Sequence, residues 1–128
     1  MTLRYVVGGT AAAGIVVLSL ALSLSGEGPG STRTFALTGE RHVHASVSLT
    51  SETWGTSLLV NESGQPGGQI MWVSMRTTSG TWWEAGTFKS VSGHGVEVAM
   101  ACALTNSRIE SVWIKNAAGQ VVLHAYLF

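Results

Sequence analysis

Aspartate is absent from this 128-residue chain; its seven acidic residues are all glutamates. That removes the Asp-rich loops that usually bind calcium. It also leaves any catalytic triad with Glu alone as its orienting carboxylate. There is one cysteine, Cys102, so no disulfide can form within the chain. Cys102 lies in VAMACAL, alternating with small residues, which predicts a buried core position rather than a reactive thiol. Neither sign of charge is in excess, with seven Lys and Arg against seven Glu. A nucleic-acid-binding domain would carry a basic patch, and no nucleic-acid partner is expected.

Catalytic signatures are equally scarce. No Gly-x-Ser-x-Gly elbow occurs. Ser92 and His94 are close in sequence, but they sit in a glycine-flanked loop with no carboxylate beside them. The glutamates that could pair for glycoside hydrolysis are scattered, mostly at turn or solvent-facing positions. No enzyme and no cofactor is expected.

What the chain does have is a long uncharged apolar run at residues 5–25, YVVGGTAAAGIVVLSLALSLS, preceded by Arg4. As a helix it would measure roughly 30 Å, about the thickness of a hydrocarbon core. One reading is a cleaved secretory signal, with small-x-small sites after Ser23 and after Ser25. The other is a retained single-pass anchor with the remainder outside, an orientation that Arg4 supports. These residues alone leave the two open. No cysteine follows the run, so a lipoprotein anchor is not expected. The Gly9/Ala13 spacing is what an Ala/Gly-rich segment produces by chance, and no helix-dimer motif is read into it.

Residues 26–33 have the composition of a flexible tether. Residues 34–128 then form one domain, long enough for a real but modest core. Between residues 41 and 50, Val43, Ala45, Val47 and Leu49 alternate with His42, His44, Ser46, Ser48 and Thr50, which predicts a half-buried antiparallel strand. Further strands are expected at 34–38, 54–60, 69–77, 81–89, 96–103, 109–115 and 121–128. The turns fall at 61–68, 78–80, 90–95 and 116–120. In the third of these strands Ile70 and Trp72 should face one way and Met71, Val73 and Met75 the other. Gly86 suggests a bulge. Seven or eight short strands without a convincing helix predict an all-β antiparallel sandwich, with a small closed barrel as the alternative.

Two groups of residues stand out as candidate sites. Trp82 and Trp83 are adjacent on a strand and must point to opposite faces. The expectation is that both are sequestered, one in the core and one under the 90–95 loop. An exposed tryptophan would instead be a platform on which a sugar ring can stack. His42 and His44 would lie on one strand face about 7 Å apart, half of a metal site at most. The simpler reading is a polar strand face.

The order of these segments resembles a known family. The resemblance is carried by the alternating strand from Val43 to Leu49, by Trp54-Gly55-Thr56, and by Met71 to Arg76 before the Gly80 turn. Ala85-Gly86-Thr87-Phe88 follows, and then Ile109-Glu110-Ser111-Val112-Trp113-Ile114 with Ala118-Gly119-Gln120-Val121-Val122. Over residues 34–123 the chain is similar to the extracytoplasmic domain of actinobacterial single-pass anti-sigma factors. The resemblance implies a retained membrane anchor through residues 5–25. It also implies a non-catalytic outer domain for sensing or interaction, whose partner is a protein or a cell-envelope component. Family members carry a zinc-binding helical domain, with a His-x3-Cys-x2-Cys signature, before the membrane segment. Here only Met1 to Arg4 precede it. The expectation is therefore the sensor-side module without the inhibitory one, unless the start is internal to a longer gene. The alternative function is a secreted or anchored cell-wall or glycan-binding module that uses an exposed tryptophan.

Overall fold

The computed structural model describes residues 30–128 and, before them, the backbone of Leu3–Val6. Among the described residues there are nine strands: β1 (Leu3–Val6), β2 (Thr32–Gly39), β3 (His44–Glu52), β4 (Gly55–Ser63), β5 (Ile70–Thr77), β6 (Trp82–Lys89), β7 (Val96–Cys102), β8 (Ile109–Asn116) and β9 (Val121–Tyr126). Among the described residues the one helical element is a 3-10 turn at Asn106–Arg108, and no helix is long and apolar enough to cross a membrane. The rest of the apolar run beyond Val6, and residues 26–29, lie outside the described residues.

The strands run β1-β7-β4-β3-β2-β9-β8-β5-β6 in a single sheet. β2 to β9 pair antiparallel throughout, and β1 joins β7 in parallel. The sheet folds back on itself at β2, whose residues 32–37 pair with β3 while Thr38 and Gly39 pair with β9. β6 and β7 approach each other across the remaining seam without a ladder, so the sheet is nearly closed. Hairpin turns join β2–β3, β3–β4, β5–β6 and β8–β9. The last is set by Asn116, whose Oδ1 accepts from the backbone N–H of Ala118 and Gln120.

Period-two alternation puts one row from each strand inside. Val47 and Leu49 of β3, Leu58 and Val60 of β4, and Val98 and Met100 of β7 meet Met71, Val73 and Met75 of β5, Val112 and Ile114 of β8, and Leu123 of β9. All are essentially inaccessible to solvent. Each such side chain contributes about 1.5–3 kcal/mol through burial, which is the main favourable term for a domain of this size. The faces expected for residues 43–49 and 70–75 are the observed ones.

The structure departs from the sequence reading at two boundaries that bear on the site and in the burial of Cys102. The packed domain begins before residue 34: Gly30 N–H bonds to the Ser51 carbonyl and β2 starts at Thr32, so part of the expected tether is an edge of the ladder. Residues 61–63 belong to β4 rather than to the following turn, because Asn61 and Glu62 pair with β3 and β7 on both sides and Ser63 pairs with His44 of β3. The turn begins at Gly64, where φ is +96° and a Cβ would run into the His42 carbonyl oxygen. Cys102 is half-buried rather than fully enclosed; it packs on the core with Sγ 3.8 Å from Met75 Sδ.

Candidate functional site

The outer face of the β6-β5-β8-β9 half carries a connected aromatic surface. Its position follows from the register. Trp82 of β6 opposes Arg76 of β5, Arg76 opposes Ser111 of β8, and Ser111 opposes Tyr126 of β9. One row along, Ser74 opposes Trp113, and Trp113 opposes His124. One row further, Trp72 opposes Lys115. Directly opposed residues share a face, so these side chains converge although they come from four segments of the chain.

The rings are mutually packed. Trp113 lies at the centre, stacked on His124 with centroids 4.9 Å apart and planes at 17°. Trp82 and Tyr126 meet Trp113 edge-on at 5.7 Å and 5.8 Å. These are the offset and T-shaped geometries that the ring quadrupole favours. The Trp113 indole N–H donates to Ser111 Oγ at 2.7 Å, which fixes its rotamer. Lys115 Nζ sits 4.3 Å from the Trp82 ring centroid. Arg76 pairs with Glu110 at 3.5 Å at one edge of the patch. Trp72, Trp82 and Tyr126 remain 40%, 49% and 55% exposed, and Ser74 is buried in the middle of the patch.

The expected sequestration of Trp82 and Trp83 is not what the fold does. Neither enters the core, and neither is covered by the 90–95 loop: Trp83 is 42% exposed. The reason is position. β6 is the last strand of the sheet, and its first half stands at the open seam where no strand pairs with it. Trp83 opposes Met75 on the inward side of that seam, and Trp82 takes the outer face. A bulge decides which is which. Gly86 opposes Val73 and Glu84 opposes Ser74, leaving Ala85 as the extra residue. In an unbroken strand Trp82 would share the side of Gly86 and Phe88, facing in.

The two candidate histidines do not share a strand face. His42 belongs to the turn at residues 40–43 and His44 is the first residue of β3; both are exposed. Among the described residues no three His, Cys, Asp or Glu side chains lie together in a group that could hold a metal ion.

Trp72, His124 and Tyr126 were not legible as members of a site. Alternation indicates that a residue faces outward, but the partner across the strand comes only from the register. No family model matches this chain, and neither a curated protein nor a solved structure does.

Proposed function

We propose that this is a non-catalytic binding domain that holds a cell-envelope glycan on the aromatic outer face of β6-β5-β8-β9. The observation that carries the reading is the Trp82 ring, half exposed yet held in place by Lys115 and Trp113. A sugar ring presents a flat set of C–H groups that stack on such a surface. Preorganised rings lose little conformational entropy when they do so. Trp72, next to Lys115 in the register, supplies a second exposed ring on the same face. Exposed apolar patches of this kind mark binding sites more often than bare surface.

The same reading places the domain on the outer side of a membrane, anchored through residues 5–25. It takes the two halves of the sheet, joined through β2, as the layers of a β-sandwich. Support for the location comes from the uncharged run and from the resemblance to anti-sigma outer domains. Mass measurement of the mature protein after membrane fractionation tests it.

A second reading keeps the domain as a sensing module with a protein partner, as that resemblance implies. It is favoured by the mix of Trp, Tyr and Arg in the patch, the residue types enriched at the centres of protein interfaces. Sedimentation with insoluble peptidoglycan and polysaccharides separates the two. Retention of wild type that is lost in the Trp72→Ala/Trp82→Ala double variant supports the glycan reading. Retention that survives the double variant, or no retention at all, rules it out and leaves the protein-partner reading.

A further inference from the structure

At the end of the core where β2 begins and β3 ends, the inward-facing row turns polar. Arg33 of β2 opposes Leu49, and the next pair along, Ser31 and Ser51, is joined by the Ser51 N–H, which donates to the Ser31 carbonyl at 2.9 Å. Ser51 in turn opposes Thr56 of β4, which shares the core side with Leu58 and Val60. Period-two alternation therefore places Ser31, Arg33, Ser51 and Thr56 on one side of the sheet, the side of Val47 and Leu49. Thr56 Oγ1 lies 2.5 Å from Asn106 Oδ1, which brings the 3-10 turn over the same end. Together Ser31, Arg33, Ser51, Thr105, Asn106 and Ser107 line a concavity of about 360 Å³. That volume is within the range of small-molecule sites.

We propose that this cavity binds a small oxyanion, a carboxylate or a phosphate group, with the Arg33 guanidinium as its counter-ion. Among the described residues of the lining, Arg33 is the one charged side chain. Its position is set by the Leu127 carbonyl, to which Nη2 donates at 3.4 Å, and by the Phe35 ring, whose centroid is 5.0 Å from Cζ. A guanidinium presents its N–H donors in a planar fork that matches the oxygens of a carboxylate or phosphate. The hydroxyls of Ser31, Ser51, Thr105 and Ser107 are neutral groups that donate to the same kind of oxygen. Glu52 follows Ser51 but takes the other face of the sheet, where it accepts from Ser57 Oγ at 3.3 Å. A cation does not suit a lining of this kind, which offers it no carboxylate side chain. Phe128 adds an exposed apolar wall at the mouth. The cavity lies apart from the aromatic face and does not depend on the glycan reading.

Calorimetric titration of the intact chain with benzoate and with inorganic phosphate tests this, with benzamide as the neutral analogue of benzoate. At about pH 7 at least one oxyanion should bind about tenfold or more tightly than benzamide, the margin of one charge-assisted contact. The tighter of the two identifies carboxylate or phosphate as the group that fits. Arg33→Gln should abolish the preference. Arg33→Lys keeps the charge but not the fork, and should lose about tenfold in affinity for the preferred oxyanion, the worth of one hydrogen bond. Arg41→Gln, at an exposed position in the turn at the other end of β2 and β3, should bind as wild type does. No binding of any probe, equal binding of all three, or a preference that survives in Arg33→Gln overturns the proposal. If Arg33→Gln does not fold, Arg33→Lys decides: oxyanion affinity equal to wild type shows that the guanidinium is not the contact.

Discussion

Lys115 Nζ lies 4.3 Å from the centroid of the Trp82 indole, on the outer face of the sheet, although the two residues come from strands that are not neighbours. Lys115 opposes Trp72 on the intervening β5, and its long stem crosses the surface to reach Trp82. The contact places a cation on the Trp82 ring from the row of the ladder that Trp72 occupies. Lys115→Ala should cost about 0.5–1 kcal/mol of stability, the usual worth of an exposed cation–π pair. It should weaken polysaccharide retention by freeing the Trp82 rotamer. Urea denaturation and sedimentation check the two effects separately, and Lys115→Arg should restore both.

The Ala85 bulge provides a sharper test of the platform. Ala85 is the unpaired residue, so deleting it makes the strand regular while Glu84, Trp83 and Trp82 keep Ser74, Met75 and Arg76 as partners and Trp82 stays on the outer face. The expected result is a folded domain whose stability changes by no more than about 1–3 kcal/mol, with polysaccharide retention kept. Near-UV circular dichroism should show the tryptophan environment preserved. Loss of retention in a folded deletion variant with that spectrum would mean that the Trp82 face is not the contact.

Glu62 gives the domain a defined dependence on pH. Its folded pKa is raised from 4.5 to about 7, so the folded state holds the proton more tightly than the unfolded chain does. The contribution of this group to stability is therefore complete below about pH 4.5 and is lost as pH rises through about 7. The loss is about 3 kcal/mol at most. Glu62→Gln, which stays neutral, should remove this part of the slope. Urea midpoints of the two proteins at pH 4.5 and pH 8 measure it; the variant should gain on wild type at the higher pH.

Cys102 should be slow to react. Burial raises its pKa, although the hydrogen bonds from the backbone of Leu104 and Thr56 oppose the shift, and the sulfur packs against Met75. Alkylation by iodoacetamide at pH 8 should therefore be slow in the native protein and fast in urea, since only the thiolate reacts. Equal rates in the two conditions would show an accessible thiol.

The strands, their faces and the core row were legible because they depend on local alternation. Val47, Leu49, Met71, Val73, Met75, Val98 and Met100 are inside for the reason that their spacing indicates: every second side chain of a strand shares a face. The 61–63 segment was misplaced because Gly and Pro nearby dominate its composition, while pairing with β3 and β7 is a property of the neighbours. The two tryptophans were misplaced for a related reason. Adjacent residues on a strand do point to opposite faces, but whether either face is covered depends on where the strand ends up in the sheet.

Period-two patterning and backbone preference are enough to give the all-β antiparallel class, the turns at Gly80 and Gly119, and the inward rows. The packing of the strands is what puts β6 at an open seam and lets the bulge at Ala85 set which tryptophan faces out. It also decided that Trp82 and Trp113 meet His124 and Tyr126 on one surface, and that Glu62 ends a buried row. Each of these depends on register between segments far apart in the chain. Local pattern carries no information about which strand becomes whose neighbour.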